Sequence, residues 1–254
     1  MRLRVLGSSG AEFPGKRTPG FLVDDCLLLD AGTIGAVLGE EEQWAIKDIM
    51  LTHAHLDHIK GIPFLADNII LKNSGHQVRI RSMAPILKVL SENLLNGAIW
   101  PDFTAIPSKE APVLLLEDIV PMKEYEISGY RVTAYEVSHS VPAVGYVVED
   151  SAGKRLLYTG DTGPTMAIWA ACESRIHAAI IEVSMPNSME EMAIMTGHLT
   201  AGLLGSELGK MVTMPDRILV THPKPQYVSI IMGELGALGH GNIELLKDGE
   251  VYEI

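Results

Sequence analysis

The chain has 254 residues, 47% of them hydrophobic and 20% charged, and this composition predicts a globular protein with a substantial core. No apolar run approaches the roughly 20 residues that a membrane-spanning helix needs, so we expect no membrane partner. The net charge of −12 argues against a large nucleic acid as substrate, whereas a small anion attracted to a bound metal is compatible with it.

The predicted elements begin as hairpins and later alternate with helices. We predict strands over residues 3–7, 20–23, 26–30, 49–52, 78–81, 130–137, 145–149, 155–159, 178–183, 217–221 and 243–246. We predict helices over residues 84–95, 166–172, 200–211 and 227–238. No Pro-, Gly- or Ser-rich linker divides the sequence. The pattern therefore indicates one α/β domain over residues 1–254, with two mixed β-sheets covered by helices.

The N-terminal segment and the cysteines indicate the cellular compartment. Residues 3–7 alternate like a strand and residues 7–10 form a turn, without the apolar core of a signal peptide. Cys26 and Cys172 are far apart and lack a CxxC spacing, so we interpret them as free thiols in a reducing environment. We expect a cytoplasmic protein.

The hexapeptide His53-Ala54-His55-Leu56-Asp57-His58 places four metal-binding side chains directly after a predicted strand. A helix would separate these side chains, whereas a turn at a strand end can direct all four to one point. In open α/β folds, ligands bind at the carboxyl ends of strands. Nitrogen ligands with an interleaved carboxylate favour zinc, manganese or iron over magnesium or calcium. The alternative is a solvated turn whose histidines occur together by chance.

Three later loops repeat the arrangement of a strand followed by a metal-binding side chain. His139 follows the strand over 130–137, Asp161 follows a strand and a glycine, and His222 follows Thr221 as His53 follows Thr52. A single histidine after a strand is more often a structural residue. Their recurrence beside the hexapeptide favours a shared metal site.

This set of residues, in this order and spacing, resembles the metallo-β-lactamase superfamily, and the resemblance extends over nearly the whole chain. It implies a four-layer αβ/βα sandwich with a dinuclear metal centre at one edge of the sheets. The expected ions are two Zn²⁺, with Mn²⁺ or Fe²⁺ as alternatives. The implied ligands are His53, His55 and His139 for one ion, Asp57, His58 and His222 for the other, and Asp161 between them. Asp30 is predicted to accept a hydrogen bond from a ligand histidine or to cap a turn.

A bridging Asp, where true lactamases have a Cys, is closer to the phosphodiesterase-like branches. Two ions about 3.5 to 4 Å apart lower the pKa of a shared water from its value in bulk solvent towards 7 and neutralise phosphate oxygens. A bridging hydroxide is then expected to attack a phosphodiester.

A second pair of motifs, Glu182-x-Ser184-x-Pro186-Asn187 and Gly197-His198-Leu199-Thr200, resembles the class II cyclic-nucleotide phosphodiesterases. The related tRNA 3′-end endonucleases carry a similar His-x-Thr. The resemblance implies that His198 donates a proton to the leaving oxygen or binds the phosphate. Glu182 can hold His198 in the required tautomer, and Thr200 can cap a helix whose N-terminus attracts anions. The alternative is that Glu182 caps a loop and His198 is a surface residue.

The sequence thus predicts a phosphodiesterase that converts 3′,5′-cyclic nucleotides, cAMP or also cGMP, to 5′-monophosphates. Asp57, Glu182 and His198 are the predicted catalytic residues. Predicted substrate contacts are His198, Thr200, Asn187 and Trp100; Trp100, Phe103 and Tyr146 suit either base stacking or the core.

Two other functions stay open at this point. A tRNA 3′-processing endonuclease would need a basic RNA-binding insertion between His58 and Asp161, which the sequence lacks. A non-catalytic binding scaffold would predict missing ligands, and none is missing from the sequence. The oligomeric state is also open, with a homodimer as one candidate.

Overall fold

Fourteen strands form two mixed sheets in the computed structural model, which describes residues 1–72 and 75–254. The first seven strands are β1 (Arg2–Gly7), β2 (Gly20–Val23), β3 (Leu27–Leu29), β4 (Asp48–Met50), β5 (Val78–Ser82), β6 (Leu114–Asp118) and β7 (Glu124–Ile127). The others are β8 (Tyr130–Glu136), β9 (Val144–Glu149), β10 (Arg155–Tyr158), β11 (Ala178–Glu182), β12 (Ile218–Thr221), β13 (Ile243–Leu245) and β14 (Val251–Glu253). The sheet orders are β14-β1-β2-β3-β4-β5-β6 and β13-β12-β11-β10-β9-β8-β7.

Helices cover the outer faces of both sheets. The α-helices are α1 (Glu40–Ala45), α2 (Leu56–Ile59), α3 (Gly61–Lys72), α4 (Ala84–Asn93), α5 (Glu190–Thr196), α6 (Ala201–Leu208) and α7 (Val228–Ala237). Short 3₁₀ helices span Ala167–Glu173, Asn187–Met189 and Pro225–Tyr227. No helix among the described residues is both long and apolar enough to cross a membrane.

Alternation along the strands divides the apolar side chains between two layers. On β10, Leu156 and Tyr158 face the core between the sheets, while Leu157 faces the helices outside the second sheet. Strand β11 repeats the pattern, since Ile180 faces inward and Ile181 faces outward. The structure therefore has the predicted two sheets with flanking helices.

The parallel strands determine where functional side chains collect. Strands β3 to β6 run parallel in the first sheet, and β10 to β13 run parallel in the second. Their carboxyl ends carry Asp30 after β3, His53 after β4, Asp161 after β10, Glu182 on β11 and His222 after β12. Both sheets thus present polar residues at the same edge of the sandwich.

Several elements differ from the sequence prediction. Strands β6, β7 and β14 and helices α1, α2, α3 and α5 were not predicted, and residues 167–173 form a 3₁₀ helix rather than an α-helix. Helix α3 is apolar on most of its circumference and carries Pro63 in its first turn, which weakens the helical periodicity although Pro is tolerated there. Both cysteines are free thiols, as predicted.

Candidate metal centre

The hexapeptide divides between a strand end and a single helical turn. His53 and Ala54 continue from β4, and His55 has the extended backbone of an N-cap residue (φ −68°, ψ 147°). Asp57 and His58 then lie in the one-turn helix α2. The predicted turn is therefore partly helical, and the change from extended to helical backbone is what directs all four side chains to one region.

Three overlapping groups of ligand-type atoms are present among the described residues, and within each group the atoms lie within 4.8 Å of one another. The groups are His53, His55, His139 and Asp161; Asp57, His58 and His222; and Asp161, His198 and His222. The structure thus brings together all seven residues predicted as metal ligands, and His198 with them. The groups can accommodate metal ions.

Asp161 lies between the histidine groups. Its Oδ2 atom is 3.3 Å from His222 Nε2, 3.4 Å from His58 Nε2 and 3.8 Å from His53 Nε2. On one side, His139 Nε2 is 3.2 Å from His55 Nδ1, and on the other His222 Nε2 is 3.3 Å from Asp57 Oδ2. The carboxylate of Asp161 therefore lies within 3.8 Å of histidines from both groups.

The Nδ1 atoms of two histidines are held by acceptors that leave no choice of tautomer. Asp30 Oδ2 accepts the Nδ1–H of His58 at 2.7 Å, and the Gly197 carbonyl accepts that of His139 at 2.8 Å. A carboxylate and a carbonyl can only accept. The lone pair of each Nε2 atom is therefore directed into the cluster.

Two hydroxyl groups fix His53 and His222 in the same way. Thr52 Oγ1 donates its single hydrogen to Asp30, so it accepts from His53 Nδ1 at 3.0 Å. Ser184 Oγ donates to a Glu182 carboxylate oxygen, so it accepts from His222 Nδ1 at 2.8 Å. Each of these four imidazoles thus has its Nδ1–H turned outward, so that in the neutral form its Nε2 lone pair faces one small space.

The atoms of the site fit a metal ion. The buried Nε2 atoms of His53 and His58 have no hydrogen-bond partner among the described residues. Leaving a buried polar atom unpaired costs about 1–3 kcal/mol, and a bound ion would remove that cost. A donor set of imidazole and carboxylate suits Zn²⁺, Mn²⁺ or Fe²⁺.

Burial and neighbouring charges shift the pKa values of the cluster in opposite directions. Burial and the charge of His58 hold the pKa of His53 well below its usual value. For Asp161, burial opposes ionisation, but His222 and His58 outweigh it and keep the pKa of the carboxyl low. For His58, the carboxylates of Asp161 and Asp30 outweigh burial and raise the pKa. The buried carboxylates of Asp30 and Asp161 therefore favour a positive charge beside them, either a proton on His58 or a metal ion.

Asp30 supports the cluster from the first sheet. It lies directly after β3 in a left-handed conformation (φ 55°), which turns its carboxylate towards β4. Besides the bond from His58, the carboxylate accepts hydrogen bonds from Thr52 N and Thr52 Oγ1 at 2.8 Å and from Tyr158 OH at 2.7 Å. The prediction that Asp30 accepts a hydrogen bond from a histidine of the cluster is confirmed.

Glu182 and Ser184 support the cluster from the second sheet. Glu182 Oε1 is 2.7 Å from His198 Nδ1, and Glu182 Oε2 accepts the Ser184 hydroxyl at 2.9 Å. Glu182 is therefore a partner of His198, and it also accepts the backbone N–H of Thr162 in the loop after β10, at 3.1 Å. The sequence analysis assigned no role to Ser184. Its signal was the spacing of two residues from Glu182, which places both side chains on one face of an extended segment.

His222 has a left-handed backbone (φ 64°) that is costly for a residue other than glycine. The conformation is held because its N–H donates to Ser8 O at 2.7 Å. Gly10 packs against the ring, since a Cβ atom there would lie 2.7 Å from His222 Nδ1. The loop after β1 thus acts as a support for this histidine.

The predicted substrate contacts have other partners in the structure. Thr200 Oγ1 caps α6 by accepting from Leu203 N at 3.2 Å, and Asn187 Oδ1 accepts from Gly202 N at 2.7 Å. These bonds occupy N–H groups of the first turn of α6. The expectation that this helix N-terminus is free to attract an anion therefore does not apply to those N–H groups. The hydrogen bonds account for both side chains as helix caps, and a substrate contact by either stays a prediction.

The three aromatic residues considered for base stacking lie in different environments. Trp100 packs edge-on against Phe64, with ring centroids 5.1 Å apart. Among the ring contacts of the described residues, Trp100 contacts no histidine of the cluster. Phe103 and Tyr146 are buried core residues, so neither can stack on a base. The stacking role of Trp100 stays a prediction.

Comparison with known proteins identifies the family. Residues 28–222 match the family described as the beta-lactamase superfamily domain. The chain belongs to this superfamily. The match covers the β3-to-β12 region that carries Asp30, the hexapeptide and the later site residues, and it confirms the expected fold.

Curated relatives fall into the two groups that the motifs resemble. A probable 3′,5′-cyclic-nucleotide phosphodiesterase of Yersinia pestis is 25% identical over 72% of this chain and 58% of its own length. A 3′,5′-cyclic-nucleotide phosphodiesterase of Aliivibrio fischeri is 26% identical over 83% of this chain and 75% of its own length. A ribonuclease Z of Halobacterium salinarum is 25% identical over 100% of this chain and 97% of its own length. The chain thus spans less than two thirds of the first relative, and these relatives support a hydrolase of the superfamily.

Solved structures share the fold. Unliganded yeast PDE1 has a TM-score of 0.84 at 18% identity, with 98% of each chain covered. The short form of human tRNase Z has a TM-score of 0.73 at 17% identity, with 100% of this chain and 99% of the other covered. Both have the two-sheet architecture described above.

Proposed function

We propose that this protein is a dinuclear metal-dependent phosphodiesterase that hydrolyses 3′,5′-cyclic nucleotides to 5′-monophosphates. The observation that carries the proposal is the common tautomer of His53, His58, His139 and His222, whose Nδ1 atoms are bound by acceptors and whose Nε2 lone pairs converge around Asp161. In a purely structural core, these Nε2 atoms would be paired with hydrogen-bond donors. Their convergence on one point suits the binding of a cation instead.

Seven residues would hold the ions. One ion would be bound by His53, His55 and His139, the other by Asp57, His58 and His222, with Asp161 shared. Two Zn²⁺, Mn²⁺ or Fe²⁺ ions, when bound, supply an activated water and neutralise the phosphate oxygens.

In this proposal, His198, oriented by Glu182, donates the proton to the leaving group. Glu182 fixes the Nδ1–H of His198, so the Nε2 atom of this ring is the one available to the substrate. His198 also stacks on His222, with ring centroids 5.5 Å apart, and this contact limits its rotation. For His198, burial opposes protonation, but the Glu182 carboxylate outweighs it and raises the pKa of the ring. Held at the rim of the cluster as an imidazolium, His198 can donate its Nε2 proton to the departing alkoxide, which general acid catalysis requires.

The charge distribution supports a small substrate over RNA. Two basic residues near the cluster are paired with acids, since Lys60 Nζ lies 2.7 Å from Glu12 and Arg17 Nε lies 3.8 Å from Asp248, and Lys224 Nζ donates to the carbonyl of Gly10. With a net charge of −12, these pairs leave little positive surface for a phosphate backbone. A tRNA 3′-processing endonuclease is the second candidate, because the ribonuclease Z relative aligns with the whole chain.

A substrate panel tests the proposal. Metal-loaded protein is incubated with cyclic AMP, bis-p-nitrophenyl phosphate and precursor tRNA, and the products are resolved by chromatography and gel electrophoresis. We expect 5′-AMP from cyclic AMP and intact tRNA. Protein treated with a chelator, and the same protein after metal is restored, control for a contaminating nuclease. Cleavage of tRNA without hydrolysis of cyclic AMP would overturn the first choice in favour of the second.

A further inference from the structure

A small apolar cavity opens beside His55. Its volume is about 160 Å³, and its walls are Ala54, Pro85, Ile86, Val89, Val141 and Pro142. Of the described residues that line it, only His55 has a polar side chain. The cavity therefore lies against the cluster but has the opposite chemical character.

The walls come from segments that also build the cluster. Ala54 lies between His53 and His55, and Val141 follows His139 by two residues. His55 and His139 are themselves neighbours, with Nδ1 and Nε2 3.2 Å apart. The remaining wall is the first half of α4, which carries Pro85, Ile86 and Val89. A group attached to a phosphate at the cluster can thus enter the cavity directly past His55.

The mouth of the cavity exposes aliphatic side chains. Val89 is 42% exposed and Val141 is 36% exposed, whereas Ile86 at the base of the cavity is buried. Exposed apolar surface that borders a polar site is typical of a ligand-binding surface rather than of random surface composition. These two valines are therefore placed to cover an apolar ligand group.

The size of the cavity limits what it can hold. An apolar cavity of about 150 Å³ takes up a benzene ring. The cavity beside His55 is close to that volume, so it matches one six-membered ring rather than a whole nucleoside. Because its walls are almost entirely aliphatic, the hydrogen-bonding edge of a base would find few partners there.

We propose that this cavity binds an aromatic ring of the substrate, the ring carried by one ester group of the phosphodiester, and selects it by shape. The inference rests on the proposed function in one respect, that the phosphate lies at the cluster. In a cyclic nucleotide the ribose forms both ester bonds, and the ring is the six-membered ring of the base that the ribose carries, with its faces against the aliphatic walls and its hydrogen-bonding edge towards the open mouth. Simple aryl phosphodiesters would use the same cavity.

Binding of hydrolysis-resistant ligands tests the inference without turnover. Phenylphosphonate and ethylphosphonate carry the same phosphonate group, and neither has an ester bond to cleave. Titration calorimetry on the metal-loaded protein should give about tenfold tighter binding of phenylphosphonate, because its ring is removed from water. Equal affinities would overturn the inference.

A cavity-filling variant gives the second test. Val89→Phe should remove the advantage of phenylphosphonate and leave the affinity for ethylphosphonate unchanged. Val212→Phe is the matched control, since Val212 is 76% exposed and lies outside this cavity. Unchanged metal content and unfolding temperature establish that the variant is folded. If it does not fold, Val141→Ser provides the same comparison by making the mouth polar. Full retention of the phenyl advantage in the folded variant would overturn the inference.

The two proposals can fail separately. If cyclic AMP is not hydrolysed but the phenyl advantage persists and is lost in Val89→Phe, the cavity is a ring site and the proposed substrate is wrong. If cyclic AMP is hydrolysed and phenylphosphonate has no advantage, only the assignment of the cavity is wrong.

Discussion

Asp30 and Glu182 are two fully buried carboxylates, one in each sheet, and each lies 2.7 Å from the Nδ1 atom of a histidine. They differ in the histidine that they hold. His58, the partner of Asp30, is completely buried within the cluster, whereas His198, the partner of Glu182, is 9% exposed at its rim. By our proposal, the same carboxylate–histidine pair thus serves metal binding in one sheet and proton transfer in the other.

Their other partners differ as well. Asp30 also binds Thr52 and Tyr158, so its loss would disturb His53 through Thr52 as well as His58. Glu182 also accepts from Ser184 and, at 3.1 Å, from the backbone N–H of Thr162. The environment of Asp30 is therefore organised around two histidines of the hexapeptide, and that of Glu182 around His198 and the loop that carries Asp161.

Removing the carboxylate of Asp161, which lies between the histidine groups, should have the largest effect. Asp161→Asn loses the central negative charge, so we expect metal content to fall and phosphodiesterase activity to drop about a thousandfold or more. Metal analysis by mass spectrometry and initial rates measure the two effects. Asp216→Asn, at an exposed position, should change neither. If the Asp161→Asn protein kept its metal content and its rate, Asp161 would not be a metal ligand.

The next largest effect is expected at the rim. His198→Ala should lower kcat about a hundredfold or more, because a general acid contributes roughly 10² to 10⁴, and metal content should stay unchanged. His240→Ala, which alters an exposed histidine in a distant loop, is the control. Equal loss of metal and activity in His198→Ala would show that His198 is a metal ligand. Asp30 and Glu182 would then both orient metal-binding histidines, and the proposed difference between them would be wrong.

The sequence predicted the residues of the cluster better than the contacts that hold them. His53, His55, Asp57 and His58 are adjacent in sequence, and the strand-end pattern located their partners. The supports were harder to predict because they act between distant segments. Ser8, which accepts the N–H of His222, is 214 residues away from it, and only the pairing of β1 with the C-terminal strand brings that loop near.

The cavity beside His55 and the missed elements have a related cause. Strand β6 reads Leu-Leu-Leu-Glu-Asp, without the alternation that marks a half-buried strand. Val89 and Val141 are ordinary aliphatic residues in sequence, and only the packing of α4 against the loop after His139 places them around one space. The chemistry of a side chain can be read from the sequence, whereas the shape of an apolar surface cannot.

Changing the carboxylate of the first sheet tests its link to metal binding. Asp30→Asn should weaken metal affinity about 10- to 100-fold, the usual cost of losing a partner of a ligand histidine, and kcat at saturating metal should fall much less. Competition with a fluorescent chelator measures the affinity. Asp25→Asn, at an exposed position, is the matched control. Unaltered metal affinity in Asp30→Asn would mean that His58 does not need this carboxylate as a ligand.

The corresponding change in the second sheet should have the smallest effect. It should lower kcat more than metal affinity, which is the reverse of the pattern expected for Asp30→Asn. Glu182→Gln keeps the shape of the side chain but replaces a charge-assisted hydrogen bond to His198 with a neutral one, so we expect kcat to fall about tenfold. Metal affinity should change by less than about threefold, because Ser184 still contacts His222 at 2.8 Å. Glu244→Gln, an exposed Glu on β13, is the control. If Glu182→Gln instead lost metal as Asp30→Asn does, both carboxylates would serve metal binding, and the proton-transfer role of the Glu182–His198 pair would have to be abandoned.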